Sequence, residues 1–145
     1  MKRKVNKRIL NNVLRLINEI PYVNYGGCGI VAENLADRLS KYGKTRLLCL
    51  TRNPLGVKEG INYNIRNRGK SLIGKDHIII EFKESLFVDS TGIYDDLTEV
   101  PMYDNRVPIS LPKTLLRRLN KVPSEWNDSF SRRNIKKIKQ LCKNL

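Results

Sequence analysis

Histidine is nearly absent from this chain, cysteine is sparse and odd in number, and no apolar run approaches membrane-spanning length. A membrane-spanning helix needs roughly 20 apolar residues in a row, whereas the longest candidates, Arg46 to Leu50 and Ile78 to Phe82, are strand-sized. The stretch from Ile9 to Ile20 follows basic residues but is broken by Asn11, Asn12, Arg15, Asn18 and Glu19, unlike the continuous apolar centre of a signal peptide. No membrane partner is expected, and the expected location is the cytoplasm. Three cysteines, Cys28, Cys49 and Cys142, form no CxxC and no even set, which excludes a disulfide framework. With His77 as the sole imidazole they also make a poor zinc signature, so neither a metal nor an organic cofactor is expected.

What the chain has in excess is positive charge, +14 over 145 residues, and its placement is uneven. Residues 1–20 carry six Lys/Arg against one Glu, and residues 101–145 carry eleven against three acids. Residues 21–100 are nearly balanced, eleven against ten, but the sign alternates within them. Six basic residues and one acid fall in 52–75, then one basic residue and seven acids in 76–100. Such an excess is beyond what solubility asks of a small domain, and it suits a polyanion such as nucleic acid or an acidic protein. No base-reading motif accompanies it, so any nucleic-acid contact is expected to be indifferent to sequence.

The length suits one domain of the α+β class, read as a basic N-terminal helix (1–20), a core (21–100) and a basic helical C-terminal segment (101–145). Val5, Ile9, Val13 and Ile17 recur at helical spacing up to Pro21. Gly26 and Gly27 then lead into a second helix patterned by Cys28, Val31, Ala32, Leu35 and Leu39 and closed by Gly43. Thr45 to Thr51 reads as a strand. Residues 52–75, rich in Asn, Gly, Arg and Lys, read as a long loop. Asp76 to Lys83 and Leu86 to Ser90 read as a hairpin, and Pro101, Pro108 and Pro112 mark an extended stretch after it. Leu111 to Leu119 and Ser131 to Leu145 read as helices, the second capped by Ser131, with a turn around Pro123 and with Trp126 and Phe130 as anchors.

Chemistry singles out three residues. A thiol reacts as its thiolate, which a helix N-terminus and a neighbouring imidazolium both favour. Cys28 stands at such a helix start, behind glycines that leave room for a substrate. Backbone N–H groups there can hold an oxyanion. His77 is the one imidazole available, and Asp89, at the end of the next strand, is the natural carboxylate to orient it. The last assignment depends on the hairpin. A two-residue turn at Glu84 and Ser85 puts His77 and Asp89 on opposite faces of the sheet, and a three-residue loop from Lys83 to Ser85 puts them on one face. Cys49, inside an apolar strand, and Cys142, on a helix face, read as structural.

The segments Asn24-Tyr25-Gly26-Gly27-Cys28-Gly29, Asp76-His77 and Phe87-Val88-Asp89-Ser90-Thr91-Gly92 resemble the core of papain-like and transglutaminase-like thiol enzymes, especially small bacteriophage forms. The resemblance spans roughly residues 22–95. It implies a papain-like core in which the cysteine opens a helix packed on an antiparallel sheet, with Cys28, His77 and Asp89 as the catalytic triad. It further implies a peptide, amide or thioester substrate, and it widens the expected location to a host cytoplasm or a virion. Papain-like proteases usually carry a glutamine several residues ahead of the cysteine to complete the oxyanion hole; this chain has none there, and the resemblance implies that Asn24, the nearest amide, serves beside the Cys28 N–H. A different class of function stands beside this one: a non-enzymatic basic viral structural or packaged protein on a degenerate thiol-enzyme fold, binding nucleic acid or another polyanion.

Overall fold

The computed structural model describes residues 4–24, 27–67, 76–121 and 132–145. The readings made for Tyr25 and Gly26, the Pro123 turn, the anchors Trp126 and Phe130 and the Ser131 cap lie outside these residues. The architecture is α+β: among the described residues, five helices and an antiparallel sheet of five strands.

Helix α1 (Lys7–Asn18) starts where the Asn6 side chain accepts hydrogen bonds from the Arg8 and Ile9 backbone N–H groups, which satisfies two of the amides a helix start leaves over. Its Leu10, Val13, Leu14 and Ile17 are buried at helical spacing while its basic residues face water. Helix α2 (Cys28–Leu39) is apolar nearly all round. Eight of its twelve residues are buried, because it packs on β2 and β1 on one side and on the C-terminal helices on the other. Gly27 precedes it and provides no side-chain cap, so among the described residues no capping side chain covers the N–H groups at its start.

The sheet runs β4-β3-β2-β1-β5. Strand β1 (Thr45–Thr51) pairs with β2 (His77–Phe82) on one side and β5 (Val107–Leu111) on the other. Strand β2 continues into β3 (Leu86–Asp89) and β3 into the short β4 (Gly92–Tyr94). Both faces are covered, which is why β1 and β2 read as continuous apolar runs rather than alternating ones. Leu47, Cys49, Ile78, Ile80 and Phe82 pack toward the helices in the larger core. Leu48, Leu50 and Ile79 point the other way, onto Val100 with Phe87, Tyr94, Leu97 and Tyr103 around it.

The hairpin between β2 and β3 has the three-residue form. Ile80 pairs with Val88 and Phe82 with Leu86, leaving Lys83, Glu84 and Ser85 as the loop. Lys83 and Glu84 both adopt left-handed backbone, φ 54° and 61°, although neither is glycine. The Ser85 N–H closes the turn onto the Phe82 carbonyl at 3.3 Å.

The structure corrects the reading of 52–75 as a long loop, since Pro54–Asn67 forms helix α3. The Asn53 side chain accepts from the Gly56 N–H at 3.1 Å, Pro54 takes the first helical position where its missing N–H costs nothing, and Val57 and Ile61 are buried one turn apart. The extended stretch after the hairpin supplies β5, which carries Pro108 at the sheet edge, the place in a sheet where a residue without an N–H is tolerated. Helix α4 (Lys113–Lys121) begins after Pro112 rather than at Leu111, which belongs to β5, and α5 (Arg132–Cys142) closes the fold against α1 and α2. The terminal helices are therefore built into the main core: Leu115, Leu116, Leu119, Ile138 and Cys142 are buried in it together with the inner face of α1. No helix of the described residues is long and apolar enough to cross a membrane.

Candidate active site

Three elements converge at one end of the sheet: the start of α2, the start of β2 and the end of β3. The three-residue hairpin loop gives His77 and Asp89 the same parity, and the contact forms. His77 Nε2 lies 2.8 Å from Asp89 Oδ2, with both side chains almost wholly buried. Asp89 uses its other oxygen, Oδ1, to accept the Thr91 backbone N–H at 2.7 Å and the Thr91 hydroxyl. The Thr91 Oγ1 in turn lies 2.7 Å from the Tyr94 hydroxyl. The carboxylate is thus held from behind by residues of the β3–β4 turn, and the imidazole is held by the carboxylate.

Because Nε2 faces Asp89, the ring nitrogen left for any other partner is Nδ1. It is buried and has no hydrogen-bond partner among the described residues. Burial alone lowers the His77 pKa, but the Asp89 hydrogen bond and the nearby Cys28 thiol outweigh it and raise the pKa to about 9. Cys28 lines the same cleft as His77, Asp89, Asn24 and Ser90. Its thiol influences the ring by proximity without meeting hydrogen-bond geometry at Nδ1, and it faces the Asp76 carbonyl at 3.9 Å, a long contact. Cys28 is 7% exposed, His77 1% and Asp89 4%, so the group sits beneath the surface.

Asn24 reaches the same cleft through a polar cluster. Its Oδ1 accepts from the Ser90 hydroxyl at 3.0 Å and its Nδ2 donates to Asn18 Oδ1 at 3.3 Å. An amide nitrogen carries two hydrogens, so one Nδ2 hydrogen is not committed by these contacts. Asn18 is the last residue of α1, and it also accepts from Ser90 at 3.2 Å. Asp76, beside His77, has its carboxyl pKa pushed up by burial, against the Thr51 hydrogen bond and the Arg106 charge.

Sequence reasoning missed Asn18, Ser90 and Tyr94 as site neighbours. Ser90 and Thr91 directly follow Asp89, and the signal for Thr91 is a hydroxyl two residues after a strand-ending Asp, the spacing of a side-chain-capped turn. Nothing local points to Asn18, which meets Ser90 across 72 positions. The remaining cysteines stand apart. Cys49 and Cys142 are fully buried, and burial raises both thiol pKa values, that of Cys142 to about 12. No group of three metal-ligating side chains occurs among the described residues.

Comparison with protein-family models, with curated proteins and with solved structures gives no match to the chain.

Proposed function

We propose that the chain is a thiol hydrolase or acyl transferase of the papain and transglutaminase type, acting on a peptide, amide or thioester carbonyl. The observation that carries this reading is the buried His77–Asp89 hydrogen bond at 2.8 Å with Cys28 in the same cleft at an uncapped helix start. In this reading His77 Nδ1 takes the Cys28 proton, and Asp89 holds the ring so that Nδ1 faces the sulfur. The sulfur attacks the carbonyl carbon, and the oxyanion settles against the Cys28 backbone N–H and the free hydrogen of Asn24 Nδ2. His77 then returns the proton to the leaving amine or thiol as the tetrahedral intermediate collapses to an acyl-thioester. Water or an amine, deprotonated by the same nitrogen, attacks that thioester and restores the thiol.

The test is alkylation of the folded protein with iodoacetamide, mapped by mass spectrometry. Modification is expected at Cys28 and not at Cys49 or Cys142, and Cys28→Ser is expected to remove it. Equal modification of all three cysteines would sink the proposal.

The low exposure of Cys28 favours a second reading, in which a thiol-enzyme arrangement serves as a scaffold for a binding protein. That reading predicts a Cys28 that resists alkylation at neutral pH until the protein unfolds.

A further inference from the structure

The positive ends of the chain do not form one uniform surface. Lys113 and Arg117 of α4 are engaged with α2: Lys113 Nζ lies 2.5 Å and Arg117 Nη2 2.8 Å from Asp37 Oδ1, and Arg117 Nε lies 3.7 Å from Glu33. Burial works against the Asp37 charge, but these two cations overcome it and hold the carboxyl below the usual range. Two of the four cations of α4 are therefore matched by acids of α2.

Most of the unmatched charge lies on α1, α5 and the residues beside them. Residues 4–20 carry four Lys/Arg and residues 132–145 carry six, all exposed, against Glu19 as the sole acid. Arg15 pairs with Glu19 at 3.2 Å; the other nine cations make no ion pair with the described residues. Each helix buries a single stripe, Leu10, Val13, Leu14 and Ile17 on α1 and Ile138 and Cys142 on α5, and turns its basic residues outward. The two helices pack against each other and are neighbours on the fold.

We propose that the exposed basic faces of the neighbouring helices α1 and α5 bind the phosphate backbone of double-stranded nucleic acid without regard to sequence. Unpaired cations on two neighbouring helices offer several phosphate contacts at once, the source of sequence-independent affinity. A duplex is favoured over a single strand because neither helix carries an aromatic residue on which an unstacked base could lie. This inference stands apart from the thiol chemistry, since it uses none of the residues in the cleft.

The experiment is a fluorescence-anisotropy titration of the full chain with labelled random-sequence duplexes across a salt series. About five phosphate contacts give a slope of log affinity against log salt of about −4.5. The expected result is that slope, equal affinity for unrelated sequences and weaker binding of single strands. Arg133→Ala/Lys136→Ala/Lys137→Ala is expected to weaken binding more than tenfold and to make the slope shallower by about 2 to 3. Lys44→Ala/Lys83→Ala, away from both helices, is expected to leave binding unchanged, with circular dichroism confirming that each variant is folded. Absence of salt-dependent duplex binding, equal loss in the two variants, or binding to phosphatidylserine vesicles without binding to duplex would overturn the proposal.

Discussion

His77 and Asp89 meet through Nε2 and Oδ2 at 2.8 Å, and the meeting is decided by the number of residues in the β2–β3 loop. Three loop residues put both side chains on one face; two would have separated them. Asp89→Asn keeps the shape but removes the charge that supports the imidazolium. The rate of Cys28 alkylation at neutral pH is expected to fall at least about tenfold, measured as a second-order rate constant, since losing one pKa unit of support is a factor of ten. Asp89→Asn with an unchanged rate would show that the carboxylate does not act through His77.

The raised His77 pKa has a consequence for stability. Folding favours the protonated ring, so the stabilisation is complete below the unfolded value of about 6.5 and is lost as pH rises through about 9. Urea unfolding is expected to show stability declining across that window by up to roughly 3 kcal/mol. His77→Gln should flatten the decline. A wild-type profile that is flat or rising between these limits would contradict the assignment.

Thr91→Val removes the hydroxyl behind Asp89 and leaves the Thr91 N–H contact in place. A loss of about 1 kcal/mol is expected, accompanied by a shift in the pH midpoint of Cys28 alkylation. Tyr94→Phe, one contact further out, should shift that midpoint less. Stability loss without any movement of the midpoint would assign Thr91 to the turn alone.

The hairpin loop is a place to gain stability. Left-handed backbone costs a non-glycine residue about 1–2 kcal/mol, part of which glycine returns through the flexibility of the unfolded chain. Glu84, at φ 61°, pairs among the described residues with Lys44 at 3.3 Å, both side chains exposed. Glu84→Gly is expected to stabilise the protein by up to about 1 kcal/mol in urea unfolding. Destabilisation would show that the exposed ion pair outweighs the backbone term.

At the start of α3, Gly56→Ala is expected to bring no gain despite the better helix propensity of alanine. Its Cβ would run into the Asn53 side-chain amide and displace the cap. Asn53→Ala alone should cost about 1 kcal/mol, and Gly56→Ala should then become favourable by roughly 0.5–1 kcal/mol in that background. The coupling is read from a double-mutant cycle, and additive effects would place the cap elsewhere.

Much of the fold was legible because hydrophobic period and element type agreed. The spacing of Val13 and Ile17 marks α1, that of Val31, Leu35 and Leu39 marks α2, and the Thr45–Thr51 strand has the bounds read from sequence. Helix α3 was hidden by Gly56, Gly60 and its asparagines, which lower helix propensity enough to read as loop, while Val57 and Ile61 supply too short a stripe to outweigh them. Strand β5 was hidden by Pro108, and β4 by a length of three residues. For the site, Cys28, His77 and Asp89 could be singled out because each has a chemical reason to stand at the end of an element. The Asn18–Asn24–Ser90 cluster could not, because it is made by the docking of α1 rather than by any local pattern.

The sheet is finished at both margins by different means. On one side β4 is three residues long, too short to template a neighbour. On the other, β5 is long enough to recruit a strand from a second molecule, but Pro108 deprives its backbone of one donor. Both margins thus discourage the addition of a strand from a second copy, and on the longer margin that restraint rests on Pro108.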